Sequence, residues 1–129
     1  MSFSFDESVS SDLYVIKDFI QNVLEKLNVI IDDESVLFDI KLILNELVAN
    51  GVIHGNEYDK KKKVNLSVKI VQKSIRIEVT DEGHGFEYDL ASYDPMDLKC
   101  SGRGLVIVSG LSDEFYIKKN KVVAVKYLS

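Results

Sequence analysis

The run Ile75 to Phe86, IRIEVTDEGHGF, does most to narrow what this chain can fold into. Ile75, Ile77 and Val79 alternate with polar residues, which is the period of a strand with one buried face. The run then breaks into Asp81 and the glycines Gly83 and Gly85. A strand that ends this way delivers a carboxylate to a flexible turn. Backbone can come close to a polar planar ligand there, where side chains would block it.

The flanking segments supply the rest of a domain. Phe3 and Phe5 alternate with polar residues across 2–9, a short strand. Ser10 or Ser11 is placed to cap a first helix, with Asp12 in its first turn and Leu13, Ile16, Ile20, Val23, Leu24 and Leu27 on one face. Asp32, Asp33 and Glu34 suit the N-terminus of a second helix, whose buried stripe is Leu37, Ile40, Leu44, Leu47 and Val48 and which Gly55 ends. Val64, Leu66, Val68 and Ile70 alternate as a strand that Gln72 to Ser74 turns back into the Ile75 strand, an antiparallel hairpin. From Phe86 to Cys100, around Pro95, no period appears, so a loop or short lid is expected. Ser101 to Gly104 reads as a turn before a short packed helix with Leu105, Val106, Ile107, Val108 and Leu111. Phe115 and Ile117, then Val123, Val125 and Tyr127, alternate around Lys119 to Lys121 as a closing hairpin.

Bulk properties exclude several classes of function. A chain of 129 residues is one domain, 1–129, able to bury roughly two thirds of its unfolded surface. Apolar content of 46% with 29% charged residues fits a folded globular protein, and a net charge of −5 argues against a nucleic-acid partner. The single cysteine, Cys100, suits a reducing compartment. No apolar run approaches the ~18 residues of a membrane helix, and the first residues lack a secretory pattern, so the expected location is the cytoplasm, with no membrane partner.

Glu46, Asn50 and His54 fall at i, i+4 and i+8 of the second helix and share a face. One reading is a solvated helix face; the other is a carboxylate and an amide oxygen aimed into a pocket, where Asn50 can ligate a hard cation and Glu46 can take a proton. Gly51 inside the helix costs about 1 kcal/mol against alanine, which points to close approach of another group. Asp81 is either a turn former or an acceptor for the exocyclic amine of a base. The pairs Gly83/Gly85 and Gly102/Gly104 match neither a GxxxxGK[ST] phosphate loop nor a Rossmann turn, yet their backbone amides could reach phosphate oxygens. Two histidines and one cysteine make a zinc site improbable.

Taken in order, NELVANGVIHGN (Asn45 to Asn56), DEGHGF (Asp81 to Phe86) and SGRGLVIV (Ser101 to Val108) resemble the three nucleotide boxes of the GHKL ATP-binding superfamily. The HGN after the helix and the SGRGL followed by Asp113, Glu114 and Phe115 look most like bacterial anti-sigma factor serine/threonine kinases. That resemblance spans essentially the whole chain. It implies a Bergerat ATP-binding fold: an α/β two-layer sandwich in which a mainly antiparallel, mixed sheet carries the helices on one face.

It also implies roles. Glu46 matches the general base or hydroxyl-positioning glutamate, and Asn50 the magnesium ligand. Asp81 matches the acid that reads the adenine amino group. Gly83 and Gly85 match the turn under the base, and Gly102 and Gly104 the turn at the phosphates. Arg103, with Lys99, lies where a lid could meet phosphate, an expectation from charge and position. Gly51 departs from the alanine usual in the family, and His84 and His54 receive no role. ATP and Mg2+ are the implied cofactors. The implied activity is ATP-dependent phosphorylation of a serine or threonine on an anti-anti-sigma (antagonist) protein, with sequestration of a sigma factor by a homodimer. The alternatives are a nucleotide-dependent regulator-binding module without phosphoryl transfer, and a histidine-kinase catalytic domain acting in trans.

Overall fold

The computed structural model describes residues 2–83 and 100–128, with the backbone alone for residues 100–103. The expected loop or lid between Phe86 and Cys100, together with His84, Gly85 and Lys99, lies outside the described residues. In chain order the elements are β1 (Ser2–Ser10), α1 (Leu13–Asn28), α2 (Glu34–Asn50), a π-helical turn (Gly51–Gly55), β2 (Lys63–Val71), β3 (Ser74–Thr80), α3 (Cys100–Leu111), β4 (Glu114–Lys118) and β5 (Lys121–Tyr127). The five strands form one sheet in the order β1-β2-β3-β5-β4, and each of the four pairings is antiparallel. The helices pack on one face, giving the expected two layers.

Register decides which side chains meet the helices. Phe3, Phe5 and Val9 stand opposite Ile70, Val68 and Val64, and Ile75, Ile77 and Val79 continue that face across β3. Against it lie Ile16, Ile20, Val23 and Leu27 of α1, Ile40, Leu44, Leu47 and Val48 of α2, and Leu105 and Val108 of α3, all buried. Burial of this apolar area is the main driving force for the fold.

Three details differ from the sequence expectation. Asp12 is not inside the first turn of α1 but is its cap, accepting a hydrogen bond from the Tyr14 N–H at 3.0 Å. Ser11 is instead buried, its hydroxyl donating to the Lys62 carbonyl at 2.9 Å. The segment 101–104 is not a turn before α3, because the helix already begins at Cys100 and carries both glycines in its first turns. In β5 the core-facing residues are Val122 and Ala124, paired with Val79 and Ile77, rather than Val123 and Val125. Four consecutive apolar residues carry no phase of their own, so pairing with β3 sets it. Val123 and Val125 are buried on the outer face, where their cross-strand partners are Glu78 and Arg76. The Arg76 guanidinium donates to Glu78 at 2.9 Å and to the Tyr116 hydroxyl, a polar strap over that side. No described helix is long and apolar enough to cross a membrane.

At Gly51 the close approach inferred from sequence is present but leaves room. A Cβ there would lie 3.4 Å from the Val64 methyls and 3.6 Å from Val79, ordinary contact distances. The backbone is right-handed helical, at φ −62° and ψ −40°. Gly51→Ala should therefore raise stability by about 0.5–1 kcal/mol through a less flexible unfolded chain. Chemical denaturation would register this as a higher midpoint at unchanged slope.

Candidate functional site

Helix α2 starts cleanly and ends unusually. The Asp33 carboxylate caps it, accepting from the Ser35 N–H at 2.9 Å and from the Val36 N–H; the Ser35 hydroxyl, then these amides, hold its pKa below the usual carboxylate range. At the other end the chain passes into the wide turn Gly51–Gly55, closed by the Asn56 N–H donating to the Gly51 carbonyl at 2.8 Å. Such turns are rare and concentrate at functional sites.

Glu46 and Asn50 lie one turn apart on α2 and line a cavity of about 420 Å³ with Ala49, Ile53, His54, Tyr58 and Gly104. Asn50 is 7% exposed, and its Oδ1 has no hydrogen-bond partner among the described residues. An unpartnered buried acceptor is costly, which makes this oxygen the strongest indication of a missing ligand. Glu46 is half-buried. The α3 backbone crosses close above it, for a Cβ on Gly104 would fall 2.3 Å from Glu46 Oε2. His54 lines the same cavity but is exposed.

Asp81 and Gly83 form a second group, on the side of the wide turn that faces Gly55. Asp81 is 6% exposed and accepts from the Gly83 N–H at 2.7 Å. Burial pushes its acidity weaker than that of an ordinary aspartate, opposed by the Gly83 amide and by the charge of Lys62. A Cβ on Gly55 would lie 2.1 Å from the Asp81 carboxyl carbon, and one on Gly83 would lie 2.3 Å from the Gly55 carbonyl oxygen. Only glycine permits these two turns to touch.

The fold thus brings Glu46, Asn50 and Gly104 around one cavity and sets Asp81 and Gly83 against the turn that bounds it. Gly102 and Arg103 sit in the first turn of α3, and the Arg103 side chain, like Gly85, lies outside what is described. Sequence reasoning missed Tyr58 and Ile53 as cavity residues. Neither is legible locally, since Tyr58 reaches the cavity through left-handed backbone at Glu57 and Tyr58, φ 51° and 60°. It also missed Asn56 as a buried residue, for its side chain is completely enclosed.

A helix-borne acid and amide, a strand-end acid and one antiparallel sheet fit the histidine kinase-like ATPase class of domain. The chain belongs to the histidine kinase-like ATPase domain family, matching it over residues 10–126. It is 36% identical over 92 residues to the anti-sigma F factor of Clostridium perfringens (strain SM101 / Type A), a match covering 66% of each chain. Similarity extends to the anti-sigma F factors of Anoxybacillus flavithermus, 31% identical over 99 residues (71% of this chain, 68% of the relative), and of Bacillus thuringiensis (strain Al Hakam), 32% over 104 residues (72% and 70%). The match to the Clostridium perfringens relative spans about two thirds of its length. Membership of the ATPase family implies that the chain binds a nucleotide.

Proposed function

We propose that this protein is an ATP-dependent protein serine/threonine kinase that phosphorylates an anti-anti-sigma (antagonist) protein and sequesters a sigma factor. The observation that carries this reading is the buried Oδ1 of Asn50, without a partner among the described residues, in the cavity it shares with Glu46. Magnesium fits such an oxygen, since that ion takes few protein ligands and fills its remaining positions with phosphate and water. When bound, it offsets the charge of the triphosphate. Asn50 holds it. Glu46 accepts the proton of the attacking serine or threonine hydroxyl, and the γ-phosphoryl passes from ATP to that oxygen. Asp81 accepts from the adenine amino group, with Gly83 and Gly85 beneath the base. Gly102, Arg103 and Gly104 approach the phosphates. The relatives, named anti-sigma F factors, support the regulatory half of the proposal. It includes a homodimer working in the cytoplasm.

The test is radiolabelled ATP with a candidate antagonist and sigma factor. Label on serine or threonine of the antagonist, with sigma factor retained by the ATP-loaded protein, is the expected result. Nucleotide-dependent partner binding without any label would replace the kinase with a binding module.

Asp81 also sets a pH dependence. Burial raises its pKa in the folded state, so the fold favours the protonated acid. The stabilisation this gives is full below the ordinary aspartate range and is lost as pH rises through the raised value. Nucleotide recognition runs the other way, because the base amine needs the ionised acceptor. ATP affinity measured by calorimetry should fall as pH drops through a point above the ordinary aspartate range, and Asp81→Asn should flatten that profile at a lower affinity throughout.

A further inference from the structure

Asp81 is held in place by backbone contacts on either side of it, and both come from asparagines. Asn120, in the turn between β4 and β5, takes the Asp81 N–H on its carbonyl at 3.0 Å and donates its side-chain amide to the Asp81 carbonyl. Asn56 accepts the next N–H, that of Glu82, on its Oδ1 at 2.7 Å. The amide nitrogen of Asn56 donates to the Ser11 hydroxyl at 2.8 Å and to the Lys63 carbonyl at 3.0 Å. Three segments distant in sequence therefore meet on one completely buried side chain. The Glu82 carboxylate is tied in turn to the Lys63 N–H.

This arrangement exceeds what the local fold requires. The Asp81 N–H on the Asn120 carbonyl carries the β3–β5 ladder one pair past Thr80, and beyond that pair only side chains, among the described residues, hold the chain at Asp81 to Gly83. The Asp81 carboxylate itself has only the Gly83 N–H as a polar partner among the described residues. Its direction is therefore set by the peptide planes before and after it. Those planes are what Asn120 and Asn56 hold. A carboxylate reads an amine only when both distance and angle are right, and hydrogen bonds weaken steeply off line.

We infer that Asn56 and Asn120 form a clamp on residues 81–82 that fixes the base-reading carboxylate, which makes both of them positioning residues for recognition of the 6-amino group of the purine. The inference rests on the proposed role of Asp81. It assigns neither asparagine any contact with nucleotide. Ser11, on the outer side of Asn56, supports the clamp without gripping residues 81–82 itself.

The experiment compares the dissociation constants of ATP and of purine riboside triphosphate, which differs only by lacking the 6-amino group. Inorganic tripolyphosphate serves as a base-free control. All are measured by calorimetry on the full chain at a temperature where every variant is folded. The native protein should prefer ATP by about tenfold or more, the worth of one hydrogen bond to a charged acceptor. Asn56→Leu and Asn120→Ala should each bring that preference to within about twofold of unity while tripolyphosphate affinity holds. Ser11→Ala should lower the melting temperature and keep the preference. If Asn56→Leu fails to fold, Asn120→Ala alone decides. Persistence of the native preference in a folded clamp variant would overturn the clamp and leave the ATP-binding reading intact. Absence of any preference in the native protein would instead overturn the role of Asp81, and the clamp with it.

Discussion

Gly55→Ala is expected to abolish adenine recognition as thoroughly as deleting the Asp81 carboxylate, although it adds a single methyl group outside any proposed ligand contact. A Cβ at position 55 falls 2.1 Å from the Asp81 carboxyl carbon and one of its oxygens and 2.6 Å from the other oxygen, far inside contact distance. A long side chain could swing away at little cost. Asp81 has a short one, is buried, and accepts from the Gly83 N–H, while Gly83 itself abuts the Gly55 carbonyl. The methyl group must expel the carboxylate or open the turn. Overpacking of this kind costs about 1–3 kcal/mol of stability, and loss of the charged acceptor weakens ATP binding by roughly 10- to 100-fold. Because both losses pass through one side chain, they should not add. Calorimetric titration should give the Gly55→Ala/Asp81→Ala double variant the same ATP affinity as Asp81→Ala alone, and denaturation should show it more stable than Gly55→Ala. Unchanged ATP affinity in Gly55→Ala would remove the carboxylate from base recognition.

Glu46→Gln is expected to lower phosphoryl transfer to the antagonist by about 10²- to 10⁴-fold, the usual contribution of a general base, with ATP affinity kept within about twofold. Glutamine keeps the length and shape that fit beneath the α3 backbone at Gly104, so packing is preserved and only proton acceptance is lost. Single-turnover labelling with excess enzyme separates the chemical step from product release. Equal labelling rates in the two proteins would take Glu46 out of the proton transfer. If ATP affinity fell with the rate, Glu46 would belong to nucleotide binding instead.

Much of the architecture could be read from periodicity because each element carries its own. The stripes of α1 and α2 and the alternation in β2 and β3 repeat over several turns or residue pairs, so local sequence is enough to give type and approximate bounds. The start of α3 was misplaced for a related reason. Its first residues, Cys-Ser-Gly-Arg-Gly, are poor helix formers apart from Arg103, and packing of α3 against α2 overrides that preference. In β5 the apolar run Val122 to Val125 left the inward face ambiguous until pairing with β3 resolved it.

The amino-acid sequence by itself determined the order and type of the elements and the identity of the helix-borne Glu46 and Asn50 and the strand-end Asp81, because spacing within one helix or strand fixes which side chains share a face. Tertiary structure alone decided that Gly55 must be glycine, that Asn50 Oδ1 has no partner among the described residues, and that Asn56 joins residues 11, 63 and 82. Contact and burial depend on the meeting of segments far apart in the chain, and no local pattern encodes where such segments will meet.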